Sequence, residues 1–223
     1  NTFFEEIIMY KAANDLFNRL KLEKKELILK YILDEFGRVG YEATSVRKIA
    51  SKADLSVGSL YQYFNNKEGM LTVAIEHVFV ILDEYVSTIN DAPLKLKDRL
   101  EIMFEMILKL GKQHPELIIF YNKIPSDKKM ITEWVKQFYN NRSFFDVYWS
   151  TVKELQNEKE ISTKIDPVIY TFIIDTMMLS GELLQNTQYQ EIKAKVFLED
   201  SIKSSLILKE NVIETLTVLA KGQ

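Results

Sequence analysis

The chain contains no cysteine, which removes disulfides, thiol nucleophiles and cysteine-ligated metal sites together. That fits a reducing cytoplasm, the expected location. Histidine is nearly as scarce. Only His77 and His114 occur, too few for most histidine-based metal or triad sites, and each is read as structural. No glycine-rich phosphate loop, no G-x-S-x-G and no H-E-x-x-H is found. No catalytic residue, metal or cofactor is therefore expected, and an enzyme is disfavoured. Apolar runs fall short of the roughly 18 residues a membrane helix needs, so no membrane partner is expected. Residues 1–20 carry Glu5, Glu6 and Asp15 and do not resemble a signal peptide. With seven glycines and four prolines, and no alternating strand pattern, the chain reads as all-α.

The net charge of −3 over 223 residues argues by itself against nucleic acid, but its distribution does not. Residues 21–67 hold nine Lys/Arg and six Asp/Glu, a local balance of +3, and the remainder carries −6. A basic segment on an acidic body is the footprint of a small DNA reader attached to a larger domain.

Period-3.6 patterns run along nearly the whole sequence. Residues 3–19 form a weak first helix or extension, marked by Phe3, Ile7, Tyr10 and Phe17. A stronger helix over 22–39 is striped by Ile28, Tyr31, Ile32, Phe36 and Val39, with Gly40 placed for a left-handed C-cap. Two short helices follow at about 45–53 and 57–63, then a long one at 67–89 whose start Asn65 or Asn66 can cap. Beyond Pro93, helices are expected at 94–113, 115–123, 127–140, 142–158, 166–185 and about 190–220, with Pro115 and Pro167 in first turns. Three parts result: an extension (1–20), a DNA-binding domain (21–70) and an effector-binding and dimerisation domain (71–223).

Residues 44–67 carry the chemistry. Val46, Ile49, Ala50 and Ala53 stripe the first short helix, and Leu55, Leu60 and Phe64 line the inner side of the second. Small Ala50 and Ala53 permit a close, steep crossing. Asp54-Leu55-Ser56 makes the turn, with Ser56 as N-cap. Helix, short turn, helix with this packing is the helix-turn-helix plan. Outward lie Val57, Gly58, Ser59, Tyr61, Gln62 and Tyr63, a surface without a carboxylate to repel phosphate, surrounded by Arg47, Lys48, Lys52 and Lys67. Thr44 stands where its hydroxyl and the helix's free N–H groups can meet a phosphate.

The wording of this segment resembles the N-terminal domain of the TetR (tetracycline repressor) family. The matching residues are Phe36, Gly40, Tyr41, Thr44-Ser45, Val46, Ile49-Ala50, Ala53, Leu55-Ser56, Gly58, Leu60-Tyr61, Tyr63-Phe64 and Lys67-Glu68, within residues 25–72. The resemblance implies that Val57, Gly58 and Tyr61 face bases, with Gln62 added, and that Thr44, Ser59, Tyr63 and Lys67 touch phosphates. Arg47 and Lys48 are added on charge alone, with ordinary solvation as the competing explanation. Two departures are Asp54, where the family commonly has Gly, and Gly69, which could loosen the link between the DNA-binding module and the rest.

The rest of the chain carries no named motif. By resemblance it should form a helical domain larger than the helix-turn-helix domain, a homodimer interface and a pocket for a small hydrophobic or amphipathic effector. Aromatics crowd 119–149, and the pocket candidates are Phe120, Tyr121, Trp134, Phe138, Phe145, Tyr148 and Trp149, with Met177. Plain core is the alternative for each. The dimer candidates are Ile169, Phe172, Ile173, Met177 and Ser180 on an almost wholly apolar helix, with Leu206, Ile213 and Leu216 on the last one. The function expected is a ligand-released repressor on a double-stranded operator. A protein–protein adaptor and an enzyme without a recognisable motif stay as alternatives.

Overall fold

A computed structural model describes residues 8–90, 95–140, 143–186 and 205–222. Among these residues there are helices and no strands. The helices are α1 (Asp15–Asn18), α2 (Leu22–Ala43), α3 (Val46–Lys52), α4 (Val57–Phe64), α5 (Lys67–Asn90), α6 (Leu96–Gln113), α7 (Pro115–Lys123), α8 (Lys128–Asn140), α9 (Ser143–Asn157), α10 (Pro167–Asn186) and α11 (Ser205–Ala220), with one 3₁₀ turn at Ile124–Ser126. None of the described helices is long and apolar enough to cross a membrane.

Local chemistry sets the boundaries. The expected prolines open α7 and α10, where a missing N–H costs nothing. The Asp166 carboxylate accepts from the amides of Val168 and Ile169, and Asp127 does the same for Lys129 and Met130 at the head of α8. Gly40 takes a positive φ of 80° near the end of α2, a conformation costly for any residue with a Cβ. The first helix departs from expectation. Of the described residues before Leu22, only Asp15–Asn18 are helical. Tyr10 and Phe17 both turn inward, and the Asn18 side chain closes the loop, accepting from Tyr10 N at 2.9 Å and donating to Tyr10 O at 3.1 Å.

The chain divides into two compact units. The first comprises Asn1–Leu82 with Pro115–Asn141. Its core is the buried side of α2 (Ile28, Leu29, Ile32, Leu33, Phe36), the inner residues of α3 and α4, and Met70, Leu71, Val73, Ala74 and Ile75 of α5. Helix α7 lies along α2 and contributes Leu117, Ile118 and Phe120. The second unit comprises Asp83–His114 with Arg142–Gln223. Leu100 and Phe104 of α6, Leu155 of α9, Tyr170 and Ile174 of α10, and Ile213 and Leu216 of α11 form its core. Tyr170 carries a polar tip into this interior and satisfies it by donating to Leu216 O at 2.7 Å.

Candidate nucleic-acid interface

Helices α3 and α4 cross through small and branched residues: Ile49, Ala50, Ala53, Leu60 and Phe64 are all buried. The turn between them uses Asp54 at φ 53°, the left-handed geometry that aspartate tolerates better than most residues. Ser56 caps α4 as expected, its Oγ accepting from Ser59 N at 2.9 Å and meeting Ser59 Oγ at 2.8 Å. With one side of α4 committed to the core, Gly58, Tyr61 and Gln62 are exposed, and Val57, Ser59 and Tyr63 are half-buried beside them. Tyr61 is 41% exposed. No carboxylate stands on this eight-residue helix.

The flanking cations differ in their ties. Arg47 is exposed at the start of α3. Lys48 pairs with the buried Glu35 at 3.8 Å, and Lys52 with Asp34 at 2.9 Å, where Arg38 also binds at 2.6 Å. Burial alone would raise the Asp34 carboxyl. The hydrogen bonds and charges of Lys52 and Arg38 outweigh it and hold the group below the usual carboxylate range. The Lys48 and Lys52 pairs tie α3 to α2.

Lys67 sits at the N-terminus of α5 over the Tyr41 ring, 4.8 Å from its centroid, and donates to Glu42 O at 3.0 Å. One ammonium hydrogen is thereby used, and two remain for an incoming anion. Lys129 of α8 approaches the same ring at 5.7 Å and pairs with Glu68 at 2.7 Å. Asp127 accepts from the Tyr41 amide at 2.7 Å. The corner behind Lys67 is thus held by residues from the head of α8, which the sequence pattern did not single out, because 86 residues separate Asp127 from Tyr41.

The Thr44 hydroxyl, expected to meet a phosphate, is turned inward. The residue is buried, and its hydroxyl proton is donated to Gly40 O at 2.6 Å. Ser45, one residue on, takes the capping place of α3 and accepts from Lys48 N at 3.4 Å. Gly69 has a reason the sequence did not disclose. A Cβ there would run into the carbonyl oxygen of Phe64, and its N–H instead donates to Asn66 Oδ1 at 2.8 Å, the cap of α5. A tight corner accounts for this glycine.

The aromatic candidates separate. Phe120, Tyr121, Trp134 and Phe138 belong to the first unit, and Trp149 and Met177 to the second. Phe120 is core, and Trp134 stacks on Phe79 at 5.2 Å while meeting Tyr121 edge-on at 5.9 Å. Trp149 lies under the Lys153 ammonium at 3.8 Å. The Phe145 and Tyr148 side chains lie outside those described, as do those of Ser180 and Leu206. Within the second unit, an open cleft of about 440 Å³ is lined by Glu84, Tyr85, Ile102, Glu105, Met106, Lys109 and Gln113. Of the dimer candidates, Ile169 and Phe172 are exposed, at 57% and 67%. Ile173 and Met177 are half-buried against the core. Ile213 and Leu216, expected on an interface, are instead consumed by the core of their own unit.

Residues 28–74 match the family model described as bacterial regulatory proteins, tetR family. The HTH-type transcriptional repressor KstR of Rhodococcus jostii is 29% identical over 106 residues, 48% of this chain and 49% of the repressor. The chain thus spans about half the length of that curated relative. The uncharacterized HTH-type transcriptional regulator YerO of Bacillus subtilis is 25% identical over 205 residues, covering 81% of this chain and 65% of its own length. Among solved structures, the fatty acid degradation regulator FadR from Bacillus halodurans superposes with a TM-score of 0.67 at 19% identity, covering 89% of this chain and 97% of that one. FadR from Bacillus subtilis, in complex with stearoyl-CoA, superposes with a TM-score of 0.66 at 17% identity, over 88% of this chain and 98% of that one.

Proposed function

We propose that the chain is a member of the tetR family of bacterial regulatory proteins and a DNA-binding transcriptional repressor, with α4 as its recognition helix. One observation carries this function: the acid-free face of α4, with Gly58, Tyr61 and Gln62 exposed, is turned outward by a capped N-terminus and two fully buried anchors, Leu60 and Phe64. Base-edge contacts are assigned to Val57, Gly58, Tyr61 and Gln62. Phosphate contacts are assigned to Ser59, Tyr63, Lys67 and Arg47, to Lys48 if its pairing with Glu35 yields, and to the backbone N–H groups at the Thr44–Ser45 entry of α3.

Residues 21–70 read DNA in this function, and residues 71–223 bind an effector and a second copy. The exposed apolar residues Val168, Ile169 and Phe172 of α10, with Val218 and Leu219 of α11, support a self-complementary interface between two copies. Two recognition helices set about 34–36 Å apart would then meet successive major grooves on one side of the duplex. A small amphipathic effector that binds the other conformation better lowers operator occupancy by population shift. The mixed lining of the cleft around Tyr85 and Lys109 suits such a molecule, and a neighbour of the same fold is described in complex with stearoyl-CoA. The protein is a binder rather than an enzyme.

The test is selection of duplexes from a random-sequence library by the full chain. An enriched inverted repeat with half-sites about one helical turn apart is the expected result. Recovery of no sequence preference would overturn the function.

A further inference from the structure

Helix α4 has a structural difficulty that its own residues do not solve. It is eight residues long, far below the roughly 12–15 at which an isolated helix holds itself together. Its last carbonyls have no partners inside the helix. Its C-cap, Asn65, stands at φ 63°, a conformation unusual for a residue with a side chain.

The missing donors come from elsewhere in the chain. Asn14 Nδ2 donates to Gln62 O at 2.6 Å, and the Asn14 backbone N–H donates to Tyr63 O at 2.9 Å. The same side chain engages Asn65 in both directions, Nδ2 to Asn65 Oδ1 at 3.0 Å and Asn65 Nδ2 to Asn14 Oδ1 at 3.3 Å. Asn14 occupies the N-cap position of α1, where asparagine ordinarily accepts from its own helix, yet it makes no such bond. Its side chain is spent on α4. Three residues on, the Phe17 ring packs on Phe64 at 4.7 Å and on Tyr63 at 5.8 Å. The far end of the segment is anchored on α5, where Tyr10 Oη meets His77 Nδ1 at 2.8 Å and Ala12 N donates to Glu76 Oε2 at 3.3 Å.

We infer that residues 10–18 are a brace that caps the C-terminal end of α4 and sets its pose, with Asn14 as the positioning residue. The inference rests on α4 being the DNA-reading helix, but the brace has a physical signature of its own. It lies outside residues 28–74, the part that matches the family model. It holds the backbone of Gln62, one of the residues assigned to base contact.

The experiment compares the full chain with Asn14→Ala, and with Phe17→Leu as a second variant that keeps an apolar filler. The first readout is amide hydrogen exchange. In Asn14→Ala, losing the three side-chain hydrogen bonds to Gln62 and Asn65 should speed exchange of the α4 amides roughly tenfold and leave α10 and α11 unchanged. The second readout is affinity for a duplex selected from a random library against a scrambled one. Discrimination should fall roughly tenfold, while scrambled-duplex affinity and its salt slope stay as in the parent chain. Unchanged α4 exchange in both variants overturns the brace. Faster exchange with unchanged discrimination overturns the positioning role. If the parent chain itself prefers no duplex, the DNA-reading function has failed separately, and the exchange measurement alone decides whether Asn14 braces α4.

Discussion

Lys67 is held at the start of α5 by the Glu42 carbonyl and the Tyr41 ring, which fixes where its remaining hydrogens point. A phosphate contact of this kind carries no base information. Lys67→Ala should therefore weaken selected and scrambled duplexes alike and reduce the slope of log affinity against log salt by about 1. Fluorescence anisotropy across a salt series checks this. Asp34 makes a different kind of prediction. Its folded-state carboxyl is held below the usual range, so the stability it contributes is present above the ordinary aspartate value of about 3.9 and is lost as pH falls through the depressed value. Because Lys52 is 42% exposed, the contribution is at most about 1 kcal/mol after solvent screening. Asp34→Asn should be less stable than the parent near neutral pH, and the gap should close on acidification. Urea melts at several pH values measure it.

The elements were legible to different degrees. Ser56, Pro115, Pro167 and Asn66 act where local cap chemistry placed them, because a cap is satisfied within three residues of itself. The α3–α4 crossing was legible because small Ala50 and Ala53 alternate with large buried neighbours. What the pattern could not disclose depends on distant partners. Residues 3–19 read as a helix from their apolar marks, yet Tyr10 is drawn to His77 and Asn14 to the end of α4, 48 residues away. Thr44 read as a phosphate donor until Gly40 O claimed its proton. Gly69 belongs here as well. Helix propensity alone would have Gly69→Ala gain up to about 1 kcal/mol, but the new Cβ meets the Phe64 carbonyl. The clash should win, costing about 1–3 kcal/mol. Calorimetry should then show Tm lower by roughly 3–10 °C. A raised Tm would show that the corner relaxes without cost.

At the scale of the whole molecule, the all-α class and the helix-turn-helix were readable from periodicity and turn chemistry. The division of labour among the remaining aromatics was not. Phe120 and Trp134 are apolar and helical in either a pocket or a core, and the burial of Phe120 and the packing of Trp134 on Phe79 and Tyr121 depend on partners distant in sequence. The same holds for α11: Ile213 and Leu216 face inward while Val218 and Leu219, two and three positions beyond Leu216, stay exposed. The exposed set carries the prediction for assembly. Phe172→Glu should convert a dimer to a monomer in sedimentation velocity and weaken binding to a two-half-site duplex far more than to a single half-site. Retention of the dimer would move the interface elsewhere.

The central claim is that the side chain of Tyr61, at the middle of the exposed face of α4, reads base edges. The most direct measurement is the affinity of the full chain and of Tyr61→Ala for a library-selected duplex and for a scrambled duplex of equal length. The account predicts a loss of about 1–3 kcal/mol on the selected duplex with little change on the scrambled one and no change in salt slope. Equal affinities of the two proteins for the selected duplex would contradict it.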